Sequence, residues 1–154
     1  MAFSREEWGH VVEELIRVTK PGGFIELFEI DPNYKQPGPS YERIYKSITA
    51  LCESRGIDVN VVNHLEDFFG SLENVHSESL EVTYGWNKFG ELTAQSFRLM
   101  ALAMTEKIAP ELGMNPNQYQ QLVNKSVSEF SEYKTWGRMP YIYGMKPIGA
   151  GMQK

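Results

Sequence analysis

Apolar residues recur at helical spacing from Trp8 through Val11, Val12, Leu15 and Ile16 to Val18, and Ser4 stands three residues before Glu7 as in a capping box. A first helix is expected there. Lys20-Pro21-Gly22-Gly23 ends it, since proline cannot continue the hydrogen-bond ladder and the two glycines permit a tight turn back. Phe24 to Ile30 then reads Phe-Ile-Glu-Leu-Phe-Glu-Ile, apolar on both parities, which predicts a strand covered on both faces. Beyond Asp31, Pro32, Pro37, Gly38 and Pro39 favour a stiff loop, with Pro39 as the first residue of a second helix. Tyr41, Ile44, Tyr45, Ile48, Leu51 and Cys52 form its stripe, and Gly56 closes it. A shorter helix carrying Val61, Val62, Leu65, Phe68, Phe69 and Leu72 inward is expected next.

Ser79 to Tyr84 alternates, so Leu80, Val82 and Tyr84 are expected to face a core while Glu81 and Thr83 face outward. Phe89, Leu92, Phe97, Met100, Met104, Ile108 and Leu112 predict one long helix ending near Pro110 and Gly113. Asn115-Pro116 caps and opens another, carrying Tyr119, Leu122, Val123, Val127 and Phe130. Tyr141 to Lys146 reads as the last strand, and residues 149–154 as a flexible tail. This alternation of helices and strands is that of an α/β layer fold without internal repeats. The first strand reads as central, yet the chain offers only two others to flank it.

Composition narrows the class. The 154 residues carry 20 Asp+Glu against 15 Lys+Arg, a net charge of −5. A single domain of this size buries roughly 68–70% of the surface of its unfolded chain and needs no staples. The lone Cys52 forms no disulfide framework. The longest apolar run, Leu99 to Met104, is too short to span a bilayer, and the opening residues lack a secretory apolar segment, so a cytoplasmic protein with no membrane contact is expected. Scattered basic residues and net negative charge give no electrostatic footprint for nucleic acid.

The segment Trp8 … Glu14-Leu15-Ile16-Arg17-Val18-Thr19-Lys20-Pro21-Gly22-Gly23-Phe24-Ile25-Glu26 resembles the W…EL-x-RV-x-KPGG segment of class I S-adenosylmethionine-dependent methyltransferases. In that family a helix ending in the KPGG turn leads into the fifth strand of a seven-stranded sheet. Tyr141-Ile142-Tyr143-Gly144-Met145-Lys146-Pro147 is similar to the final, antiparallel strand of fungal-type members, and Gly85-Trp86 with two long helices fits the same group. The resemblance implies a partial Rossmann-like methyltransferase sheet, the last three strands with flanking helices, over residues 1–148. It also implies S-adenosylmethionine as cofactor and a small-molecule or protein acceptor. The family binds its cofactor through a glycine-rich loop and an acidic residue upstream of the W…KPGG segment, and no G-x-G run follows a strand here. The cofactor site is therefore expected to be absent from this chain.

Open α/β sheets bind ligands at the carboxyl ends of their strands. The first strand delivers Glu29 and Asp31 there, followed by Tyr34; by resemblance the acids orient or deprotonate an acceptor, and Tyr34 and Trp86 face the substrate. The plain structural alternative makes Asp31 a turn cap and Trp86 rim packing. His10, His64 and His76 share no ligand spacing, so no metal site is expected. Cys52 reads as a buried small hydrophobe, Met100 and Met104 as gap-filling core, and Trp8, Leu15 and Val18 as core contacts.

Two readings follow. In one, the chain is the carboxyl-terminal half of a methyltransferase-like fold, inactive until the amino-terminal half is supplied. In the other it is a non-catalytic truncated paralogue that forms a homodimer, or pairs with a methyltransferase, through an exposed strand edge.

Overall fold

Local capping signals start the helices where the pattern places them. Ser4 Oγ accepts from Glu7 N–H at 3.3 Å while Ser4 N–H donates to Glu7 Oε2 at 2.7 Å, and Asn115 forms the same reciprocal box with Gln118. The computed structural model describes residues 3–149. In chain order these form α1 (Arg5–Val18), β1 (Phe24–Phe28), α2 (Pro39–Glu53), β2 (Glu73–Thr83), α3 (Asn87–Ala103), α4 (Thr105–Glu111), α5 (Pro116–Glu132) and β3 (Trp136–Met145). The result is a mixed α/β fold in which helices flank a three-stranded antiparallel sheet of order β1-β3-β2. No helix among the described residues is long and apolar enough to cross a membrane. Apart from Gly149, the expected tail lies outside the described residues. The chain divides into two compact units, one built from the chain up to Asp31, Arg55–Leu80 and the chain from Met139, the other from Pro32–Ser54 and Glu81–Arg138.

In the first unit β1 runs antiparallel to β3, with Phe24 opposite Met145 and Phe28 opposite Tyr141. Two backbone bonds bracket this ladder, Lys146 N–H to Gly23 O at 2.8 Å and Glu29 N–H to Pro140 O at 3.0 Å. Antiparallel ladders alternate bonded and non-bonded pairs, so the amides of Ile25 and Leu27 point at β3 while those of Phe24, Glu26 and Phe28 point to the outer edge. One face is covered. Trp8 and Val12 of α1, together with Val61, Val62, Leu65, Phe69 and Leu72, bury Ile25 and Ile142. Gly144 lets this layer close in, because a Cβ there would lie 3.0 Å from Leu72 Cβ.

The segment expected as a short helix is instead two 3-10 turns, Val59–Asn63 and Leu65–Phe68. Asp58 caps the first by accepting from Asn60 N–H, and His64, in a non-helical conformation, separates them, so the predicted side chains still point inward without a continuous ladder. The strand expected to be doubly covered is an edge strand whose second face is open: Phe24 is 60% and Phe28 51% exposed, because α1 and the 3-10 turns pack on one side only. Val18, 59% exposed, is likewise no core contact.

The second unit is organised by aromatic rings. Tyr34 lies between Tyr41, at 4.5 Å and 10° between planes, and Tyr84, at 4.1 Å and 28°, with Phe97 and Phe130 meeting it edge-on. Such pairs contribute about 0.5–1.5 kcal/mol each beyond burial. The expected single helix over Phe89–Leu112 breaks at Met104 into α3 and α4. Its inward face is Phe97 together with Gly90, Ala94 and Ala101, whose smallness allows close approach, while Phe89, Leu92 and Met100 point outward; Met100 is thus not core filler. Cys52 is half-buried. β2 begins at Glu73 and β3 at Trp136, both earlier than the patterns predict, and Leu80, expected in the core, is 45% exposed.

Two measurements test these contacts. Lys146 Nζ donates to the carbonyls of Ile16, Arg17 and Thr19 at 2.6, 3.3 and 2.8 Å, the last turn and cap of α1. Lys146→Met keeps the stem and is expected to cost about 1–3 kcal/mol, a fall of about 2–4 °C in melting temperature for each kcal/mol by calorimetry. The Tyr119 hydroxyl is buried and donates to Ala101 O at 3.1 Å; burial pushes its pKa up to about 12. Because the unfolded phenol ionises near 10, this contribution is whole below that pH and is lost as pH rises towards 12, by up to about 3 kcal/mol. Denaturant titrations between pH 9 and 12 should show Tyr119→Phe flattening that decline.

Candidate functional site

At the end of β1, Glu29 is half-buried and its backbone remains in register with β3, while the Asp31 side chain is buried at 5% exposure. Both belong to the first unit. Tyr34 and Trp86 belong to the second. Tyr34 is a core ring of the aromatic stack, buried between Tyr41 and Tyr84. Trp86 is half-buried at a rim: its Nε1–H donates to Thr135 O at 2.7 Å, the same carbonyl that accepts from Tyr84 N–H, and Lys134 Nζ lies 5.7 Å from its ring centroid. That oxygen ties the ring to the backbone, and the ammonium over its face adds a cation–π attraction.

The glycine turn between α1 and β1 has its amides committed. Gly22 N–H donates to Lys146 O and Gly23 N–H to Lys20 O, both at 2.8 Å. The start of α2 is also occupied, by a carboxylate of the chain itself: the buried Glu129 accepts from Ser40 N–H at 2.9 Å and from Ser40 Oγ–H at 2.8 Å. The helix dipole favours a negative charge at that end, which accounts for a buried acid on the mostly apolar stripe of α5. Beside it, the first turns of α2 and α5 and the α4–α5 turn enclose an open cleft of about 610 Å³, with Arg43, Lys125, Gln118 and Gln121 over Met114 and Leu122. Lys125 Nζ stands 3.8 Å from Glu129 Oε1. The cleft presents cations and carboxamides, the groups that hold a polar anion.

Sequence patterns did not single out the open face of the first unit's sheet. Phe24, Glu26 and Phe28 share it with Tyr141 and Tyr143, which lie opposite them, and with His76 and Glu78 of β2. His76 sits 5.1 Å from the Tyr143 ring, and the Tyr141 hydroxyl donates to Glu78 Oε2 at 2.6 Å. These contacts run in opposite senses along β2 and β3, as antiparallel neighbours require. The Tyr141 bond, helped by His76, holds the Glu78 carboxyl below its usual range and lifts the Tyr141 phenol above its own. The usable signal was the parity of each strand: Phe24 and Phe28 on β1 and Tyr141 and Tyr143 on β3 fall on one side of the sheet. Among the described residues no group of three or more His, Cys, Asp or Glu side chains gathers as a metal site.

No protein-family model matches this chain, and no curated protein matches it.

Proposed function

We propose that this chain is the carboxyl-terminal half of a class I S-adenosylmethionine-dependent methyltransferase-like domain, a Rossmann-like sheet whose earlier strands add along the outer edge of β1. The observation that carries the reading is the placement of β1. The helix and turn bearing the W…KPGG pattern deliver a short apolar strand to the sheet edge, its final partner is antiparallel, and the amides of Phe24, Glu26 and Phe28 point outward. An edge of that kind is a template for another strand.

In this reading the assembled fold moves a methyl group from S-adenosylmethionine to a small-molecule acceptor, and the half that carries the glycine-rich loop grips the cofactor. Methyl transfer needs donor and acceptor held in line at near-attack distance, which one half of a site does not achieve. The residues of this chain do not fit the cofactor, because the amides of Gly22, Gly23 and Ser40 already have acceptors. Glu29 and Asp31, at the carboxyl end of β1, stand where an acceptor is oriented or deprotonated in such sheets. A cytoplasmic setting suits the lone thiol of Cys52.

The exposed rings of Phe24 and Phe28 favour one second reading, a non-catalytic chain that pairs with its own copy along β1. One experiment separates the two. The chain is coexpressed with the amino-terminal, glycine-loop half of a class I methyltransferase, and the copurified material is melted with and without millimolar S-adenosylmethionine or its demethylated product. Ligand at a hundred times its dissociation constant stabilises a binding fold by about 2.7 kcal/mol, so an upward shift of several degrees is expected for the pair and none for the chain alone. Failure to copurify, or a pair that no ligand shifts, contradicts the methyltransferase reading. A symmetric dimer of the chain alone supports the second.

A further inference from the structure

The cleft between α2 and α5 lies wholly within the second unit, so one packed body sets its walls. Gln118, Gln121, Leu122 and Lys125 are spaced three, four and seven residues from the first of them, so a single face of α5 supplies all four. Arg43 faces them from α2. The charge of this cleft runs against that of the chain: the protein carries −5 overall, yet the described residues lining the cleft include two cations and no Asp or Glu.

Both cations have donors to give. Arg43 is exposed and, among the described residues, no ion pair engages it. Lys125 Nζ stands 3.8 Å from Glu129 Oε1, but Ser40 N–H and Oγ–H already hold that carboxylate, and an ammonium has three hydrogens to share. The backbone offers a ligand nothing at either helix start, because Glu129 takes the Ser40 amide and Asn115 Oδ1 takes the Gln118 amide. Gln118 Oε1 accepts from Asn115 N–H at 2.9 Å, which leaves its Nε2 hydrogens as the donors of that side chain. A guanidinium fork, an ammonium and an amide donor together complement a carboxylate.

A bare ion does not account for the rest of the cleft. Its volume of about 610 Å³ falls within the roughly 300–1,000 Å³ of small-molecule sites. Its apolar lining includes Leu122, buried at 9% exposure, and Met114, half-buried beside it. A thioether and a branched aliphatic chain adapt to hydrocarbon and give nothing to a hydrated ion.

We propose that this cleft binds a small amphiphilic carboxylate, its head between Arg43 and Lys125 and its hydrocarbon body over Met114 and Leu122. The site is built from the second unit alone. It does not depend on whether the edge of β1 completes a methyltransferase sheet, and it holds its ligand without reacting with it.

The test titrates the chain as it stands with octanoate, followed by amide NMR shifts, beside three probes that each lack a part. Acetate has the head without the body, octan-1-ol the body without the charge, and inorganic phosphate is a bare ion. Saturable binding of octanoate is expected, with shifts centred on Arg43, Met114, Gln118, Leu122 and Lys125, and each of the other three is expected to bind about tenfold more weakly or worse. Arg43→Gln with Lys125→Gln changes two exposed side chains, so the fold should persist, as unchanged shifts in the first unit would report. That variant should lose octanoate affinity by about tenfold or more and bind octan-1-ol as before. Octanoate that does not saturate, shifts centred on Phe24 and Phe28 instead, equal binding of any of the three partial probes, or undiminished octanoate affinity in the folded variant overturns the proposal.

Discussion

Lys146 closes the first unit, and most of what surrounds it depends on that closure. Its carbonyl accepts from Gly22 N–H, its amide donates to Gly23 O, and its ammonium reaches three carbonyls at the end of α1. A helix terminus leaves four carbonyls without intrahelical partners, so a cation placed there satisfies acceptors and dipole together. The same residue sets the register in which Phe24 meets Met145 and Phe28 meets Tyr141. It thereby decides which side chains of β1 go under α1 and which are left outside, since a slip by one residue would exchange the faces.

That division is the central asymmetry of the molecule. Ile25 is buried with Ile142 under the α1 layer, while Phe24 and Phe28 stand out on the other side with two tyrosines and two glutamates. Strands with apolar residues on both parities belong to sheets covered twice. One cover is part of this chain. The proposed readings start from the edge and the face that remain. The second unit has no such incompleteness at its centre: its rings pack on one another around Tyr34, and its buried carboxylate, Glu129, is matched to the start of α2.

The features legible in the sequence were those governed by neighbours in the chain. Ser4 with Glu7, Asn115 with Pro116 and Pro39 act within one turn, so they marked helix starts correctly. The stripe of α3 was misjudged because counting large apolar residues gave Phe89, Leu92 and Met100 the weight that the structure gives to Gly90, Ala94 and Ala101, where smallness permits close packing. The two 3-10 turns kept the predicted inward residues and lost the predicted ladder, since burial is set by which residues are apolar and the ladder by the Asp58 cap and the break at His64. Among candidate site residues, Glu29 and Asp31 follow β1 in the chain, while Tyr34 stacks in the core between Tyr41 and Tyr84, two rings from other elements that a local pattern does not bring together.

The central claim is that the outer edge of β1 has no strand partner among the described residues and, in the proposed reading, takes one. Hydrogen exchange of the β1 amides tests it most directly, because alternate residues of one strand serve as each other's control. Exchange is predicted to be slow at Ile25 and Leu27, which bond to β3, and fast at Phe24, Glu26 and Phe28 in the monomeric chain. Slow exchange at all five amides in a monomer would mean that the edge is already covered, and would contradict the account.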